Sequence, residues 1–330
     1  MLAIIIFILG VSFLLYTLLG GADFGAGIIE IFGGRREETT ISKAIAPVWE
    51  ANHVWLILAV VILFTGFPLV YSSLSLVLHI PLMLVLIGII FRGSAFTFRH
   101  YDVMPGRSHN FYRVLFNASS VITPMFLGIT LGAMILGRIT FDLSEGFYAV
   151  FVSPWLNLFC FTMGVFSTSL FTYIAAVFLI PEAKAAGERR KYVRISHSAM
   201  VTTIVSGLLV FVTAAWEGHS LVADFKNSAI SIASIAGVAI LIPVILHFMR
   251  TNNPVYLRAS IGIQVTAILI GWFAIQYPVM IHVKNGESLT FFNTQAPAAT
   301  LKQLLIALLV GLMLVIPAFV FLFRVFKVKK

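Results

Sequence analysis

The chain has 330 residues, of which 60% are hydrophobic and 11% charged, with a formal net charge of +9. Soluble globular proteins are roughly 45–50% apolar and about 25% charged, so the composition excludes a soluble two-domain enzyme, a disordered chain and a coiled coil. The single cysteine, Cys160, lies in an apolar run and closes no intrachain disulfide.

About 20 apolar residues cross a bilayer as one helix. Stretches of that kind run near 3–32, 44–65, 74–92, 114–137, 148–180, 196–216, 228–249, 257–277 and 301–323. The expectation is therefore an all-α polytopic membrane protein of about nine transmembrane helices, with residues 1–330 forming a single transmembrane domain. The first stretch has no basic start and no convincing small-residue cleavage site, and reads as a retained helix. It carries Asp23 within GGADFGAG (20–27), where Gly21 and Gly25 have the spacing of close helix packing. The second carries Glu50 and His53 within AIAPVWEANHVWL (44–56), three residues apart and so on one helical face. At 1.5 Å per residue, Asp23 lies roughly 13 Å and Glu50 roughly 9 Å from the same membrane surface. On the fourth stretch Gly128 and Gly132 repeat the packing spacing. The fifth is long enough to tilt or to project beyond the bilayer. The longest loop on the side of the N-terminus runs from about Pro278 to Thr300.

The cations set the orientation. Eighteen of the 22 Lys and Arg residues fall in alternate loops beginning after the first helix, or in the C-terminal tail. That count places Arg92 and Arg99 in a loop. It puts the N-terminus outside and the C-terminus in the cytoplasm, and it explains the positive charge without nucleic acid.

An ionisable residue inside a membrane helix costs roughly 2.5–3.5 kcal/mol on insertion scales, which makes Asp23, Glu50 and His53 candidate site residues. They read either as a proton route or as a structural polar cluster between helices. His53, His79, His197 and His247 fall in or near apolar spans, but form no obvious pair at matched depth for a bis-His haem. No metal motif, Walker loop, GxGxxG or nucleophile triad appears, so no catalytic residue and no metal are assigned to this chain. A secondary transporter with buried carboxylates is the competing reading.

GGADFGAG, then AIAPVWEANHVWL, a Phe67-Pro68 turn and FRGSAFTFR (91–99) resemble subunit II of the cytochrome bd-type quinol oxidases. QYPVM (276–280), SLTFFNTQAP (288–297) and the basic end RVFKVKK resemble it too. The most specific segment is W-[DE]-x-N-x-V-W, matched by Trp49, Glu50, Asn52, Val54 and Trp55. The resemblance implies a respiratory heterodimer in a prokaryotic plasma membrane. Its haem-bearing subunit I takes quinol from the membrane lipid and reduces oxygen, and a small accessory subunit and a structural quinone are compatible with the family. This chain would carry no haem, support subunit I and supply part of a route for cytoplasmic protons through Asp23, Glu50 and His53. The family commonly has a carboxylate at the position of Thr97, which is absent here, and His100 or Asp102 is the expected replacement.

Overall fold

The computed structural model describes the backbone of residues 1–32, 35–101, 107–183, 185–251 and 253–327, with side chains described over these ranges apart from 35–40, 42–51, 100–101, 107–109 and 322–327. The elements in chain order are α1 (Leu2–Ile31), α2 (Arg35–Gly66), α3 (Pro68–Val77), α4 (His79–Tyr101), α5 (Arg107–Leu136), α6 (Phe147–Phe151), α7 (Leu158–Leu179) and α8 (Ala186–Trp216). There follow α9 (Leu221–Asn227), α10 (Ala229–Thr251), α11 (Pro254–Gln276), the antiparallel pair β1 (Val279–Ile281) and β2 (Leu289–Thr290), and α12 (Ala298–Lys327). Among the described residues eight helices are long and apolar enough to cross a membrane. A ninth span is counted if Asn52–Gly66 and Pro68–Val77, bent by 112°, are taken together.

Two stretches differ from the sequence expectation. The third span begins at His79 and runs on to Tyr101, because Pro68 starts a separate helix at its first turn, where a missing N–H does no harm. The stretch near 148–180 is two helices. Pro154 lies between them, and Asn157 restarts the chain by accepting the Cys160 N–H at 2.9 Å.

Helix α7 lies inside the bundle, packed on α1, α5 and α8, while α10 pairs with α11 and α12 rests on α2. The glycine spacings allow the closest approaches. A Cβ at Gly25 would sit 2.0 Å from the Phe171 carbonyl oxygen, and one at Gly128 would sit 2.5 Å from that of Met163. So α1 and α5 each touch α7 backbone to backbone, as small residues permit in membranes.

Ion pairs and hydrogen bonds sort the loops into two ends. At one end Arg258 pairs with Glu182 at 2.7 Å, Arg189 donates to the Met249 carbonyl at 2.8 Å, and Lys191 donates to that of Phe32 at 3.3 Å. This is the end rich in Lys and Arg. At the opposite end the β hairpin leans on the end of α5, with His282 N–H donating to Met134 O at 3.0 Å and Lys284 N–H to Ile139 O at 2.7 Å. Outward faces of α10 and α12 remain apolar and exposed, including Ile230, Ile240, Met313, Leu314 and Phe321, as a lipid or protein partner in the bilayer requires.

Candidate functional site

Tyr16, Asp23 and Glu30 recur every seventh residue on α1 and are all buried. Seven residues are close to two helical turns, so the three share one face at intervals of roughly 10 Å. Arg92 and Arg99 have the same spacing on α4 and are buried too.

The two series meet. One Asp23 oxygen accepts from Arg92 Nη2 at 2.6 Å, and the same nitrogen donates to the Asp23 carbonyl at 2.7 Å. The other carboxylate oxygen accepts from Asn52 Nδ2 at 3.4 Å. Asn52 comes this close because residue 20 is glycine, where a Cβ would stand 2.9 Å from Asn52 Oδ1. Arg92 Nη1 donates to Ser120 Oγ at 3.3 Å. Its guanidinium lies 4.7 Å from the centre of the Phe24 ring and 4.5 Å from that of Phe116. Two turns further on, Arg99 donates to Glu30 Oε1 at 2.6 Å and lies 4.4 Å from the Phe116 ring centre. One aromatic ring thus touches both guanidiniums, giving a ladder Asp23–Arg92–Phe116–Arg99–Glu30. A buried ion pair repays its desolvation only with good geometry and further partners, and the ladder supplies charge-assisted hydrogen bonds and cation–π contacts for that purpose.

Of the three residues singled out by sequence, Asp23 is at the centre of this arrangement. His53 follows Asn52 on α2, is half-buried, and lies within electrostatic reach of Asp23. The side chain of Glu50 lies outside the described residues, as do His100 and Asp102. Asn52, from the same W-E-A-N segment as Glu50, brings that part of α2 to Asp23. Thr97 is exposed and donates to the Gly93 carbonyl at 3.0 Å.

The assignment of Arg92 and Arg99 to a loop is corrected: both lie within α4 and face the protein interior. Even with these two set aside, the remaining cations are biased sixteen to four. Glu30, Arg92 and Arg99 are the residues that sequence reasoning missed. The signal was the shared seven-residue spacing of the two acids on α1 and the two bases on α4.

The other helix-end histidines are held locally. His79 Nδ1 lies 2.9 Å from Leu76 O, and His197 Nδ1 lies 2.7 Å from Val193 O. Among the described residues no group of three or more His, Cys, Asp or Glu is placed to hold a metal ion.

The opposite end has its own polar set. Arg138 pairs with Glu217, Lys284 pairs with Glu145 at 2.9 Å, and His219 Nε2 lies 3.0 Å from Ile135 O. The rings of His219 and His282 meet edge to face with centroids 6.2 Å apart. Burial, and then the neighbouring His219, lower the pKa of His282 below the usual imidazole value, against a smaller raising effect of Asp224. These groups lie at the mouth of the bundle and reach solvent.

Known proteins resemble the chain throughout. The profile of the family described as cytochrome bd terminal oxidase subunit II matches residues 1–326. The cytochrome bd-I ubiquinol oxidase subunit 2 of Escherichia coli strain K12 is 26% identical over 219 residues, which is 65% of this chain and 56% of that protein. The chain therefore spans little more than half the length of that relative. The cytochrome bd ubiquinol oxidase subunit 2 of Bacillus subtilis strain 168 is 24% identical over 325 residues, covering 97% of this chain and 94% of that one. A chain of the bd oxidase structure from Geobacillus thermodenitrificans superposes with a TM-score of 0.79 at 20% identity, over 100% of this chain and 99% of the other, which shows a common fold. The apolar spans and the bacterial relatives make this a multi-pass protein of the prokaryotic plasma membrane. With its family profile matched over residues 1–326, the chain belongs to the family of cytochrome bd terminal oxidase subunit II.

Proposed function

We propose that this chain is the haem-free subunit of a membrane oxidase that oxidises quinol and reduces oxygen to water. In this reading it supports a haem-bearing subunit I, where the oxygen chemistry takes place, and provides part of the route by which cytoplasmic protons reach it. Asp23, Glu50 and His53 carry that route, with the N-terminus outside and the basic end in the cytoplasm. Family membership supports the complex, and the exposed apolar helix faces suit a partner in the bilayer. Support for the proton route rests on one observation: Asp23 is buried in the bundle and accepts a hydrogen bond from Asn52 of the W-E-A-N segment, so that two acid-bearing segments meet at one depth.

The residues do chemistry that needs no cofactor in this chain. A carboxylate inside the bundle takes a proton from the cytoplasmic side and gives it up toward the partner, while Arg92 keeps its charge and holds Asp23 in place. Each charge moved through the full field is worth about 2.3 kcal/mol per 100 mV, so drawing the protons from the cytoplasm conserves energy.

Glu50→Gln tests the reading. It keeps size and hydrogen-bonding capacity and removes ionisation. The variant complex should assemble with full haem content and consume oxygen at least tenfold more slowly with excess quinol, and Glu50→Asp should recover much of the rate. Normal oxygen consumption by an assembled Gln variant would remove the proton role.

A further inference from the structure

The polar ladder does not stop at Asp23. Glu30 sits two turns closer to the basic end, 3% exposed, and its carboxylate is held by Arg99 at 2.6 Å as Asp23 is held by Arg92. Helix α1 ends at the next residue, Ile31, with Phe32 as its C-cap, so Glu30 lies in the last turn of the helix. Lys191 donates to the Phe32 carbonyl at that rim. A carboxylate is thus buried in the last turn of α1 at the end where cations gather, and on the same face of the same helix as Asp23. Bundle packing alone does not call for an ion pair there, since two apolar side chains in place of Glu30 and Arg99 would fill the space without buried charge.

We propose that Glu30 is the mouth of the proton route, the first protein group to take a proton from the cytoplasmic solvent, with Arg99 as its positioning residue. The proposal rests on the reading of this chain as a proton-conducting subunit. It places the entrance on α1 rather than on α4 at residue 97, where Thr97 is exposed and bonded to its own helix. The step is a plain proton transfer. Glu30 accepts a proton from solvent and becomes neutral, then releases it inward, toward Ser120 and the Asp23 level, and is a carboxylate again. Arg99 remains protonated throughout. When Glu30 is neutral, the Arg99 guanidinium still has the face of Phe116 at 4.4 Å, so a counter-interaction survives the loss of negative charge. Ser120 suits the inward step, because its hydroxyl accepts from Arg92 and donates to the Phe116 carbonyl at 2.6 Å, between the two levels. The charged groups facing Glu30 among the described residues are Arg99 and, one level inward, Arg92, with Lys191 at the rim.

The test compares Glu30→Gln with Glu50→Gln in the intact complex, reading haem content, oxygen consumption with excess quinol, and its dependence on pH. Glu30→Gln should assemble with full haem content, turn over at least fivefold more slowly, and lose rate more steeply as pH rises, since solvent protons must now enter without a surface acceptor. Glu30→Asp should restore most of the rate. Adding Thr97→Glu to Glu30→Gln should restore part of it, because a carboxylate is then returned to the same end; a merely structural role for Glu30 would not be repaired from α4. If Glu30→Gln fails to assemble, the neutral pair Glu30→Gln with Arg99→Gln is read in its place. A slow Glu50→Gln beside a normal Glu30→Gln overturns the entrance and leaves the proposed function standing. A normal Glu50→Gln overturns the proposed function itself. Failure of both the single and the paired variant to assemble assigns Glu30 to structure and also overturns the proposal.

Discussion

The ladder between α1 and α4 and the hairpin end of the bundle handle charge in opposite ways. Toward the basic end, Asp23–Arg92 and Glu30–Arg99 have side chains no more than 4% exposed. At the opposite end, the Lys284–Glu145 pair has side chains 44% and 28% exposed. The partners are of the same chemical kind and the distances differ little. What differs is the surrounding medium. A pair in water gains little because solvent already stabilises each charge, whereas loss of one member of a pair in the bundle leaves the other charge desolvated. The buried ladder therefore couples ionisation to the integrity of the fold, and the exposed pairs do not.

The largest break in that comparison is Arg92→Leu. It removes the cation and leaves Asp23 buried, with the 3.4 Å hydrogen bond from Asn52 as its remaining side-chain donor among the described residues. Losing one member of a buried pair costs about 3–5 kcal/mol in proteins where it has been measured. The expected outcome is loss of assembled, haem-containing complex from membranes. Replacing both members, as Asp23→Asn with Arg92→Gln, should recover assembly but not turnover. Normal assembly of Arg92→Leu would mean that the ladder carries no structural weight.

How much of this was legible in the sequence follows from the same contrast. The spans, the central place of Asp23 and the packing glycines could be read, because an acid or a glycine spacing inside an apolar run has few explanations. The partners of the acids could not be. Arg92 and Arg99 stand near the end of an apolar stretch, where a cation ordinarily marks a loop, and only the extension of α4 to Tyr101 puts them inside. Glu30 was hidden for the same reason, being close to the end of α1. The division of the stretch near 148–180 turned on Pro154 and the Asn157 cap, local signals that an apolar count passes over.

At the opposite end, Lys284→Ala sharpens the comparison from below. The pair it breaks is open to solvent, so the loss of stability should stay within about 1 kcal/mol. It should shrink further in high salt, which screens exposed charges. The thermal midpoint of the purified complex in low and high salt measures both. A loss as large as that of Arg92→Leu would erase the distinction between the two ends.

The smallest expected effect concerns pH at the hairpin. His282 is half-buried against His219, and its folded pKa lies below the ordinary imidazole value, mainly through burial. With the folded pKa below the unfolded one, the unfolded hairpin binds more protons across the interval between them, so stability rises with pH there. The neutral form is the one that docks. As pH falls through the ordinary imidazole value, about 6.5, opening the hairpin becomes easier. The nearby acid Asp224 opposes this, so the net effect is modest. The amides of His282 and Lys284, which donate to Met134 and Ile139, report the docked state directly. Their hydrogen exchange, corrected for its intrinsic pH dependence, should quicken about twofold to threefold between pH 7.5 and 5.5. His282→Gln should flatten that response, because glutamine fills the space without a titrating proton. Exchange that stays level in the wild type would show that the hairpin, like the Lys284 pair, is indifferent to the charge beside it.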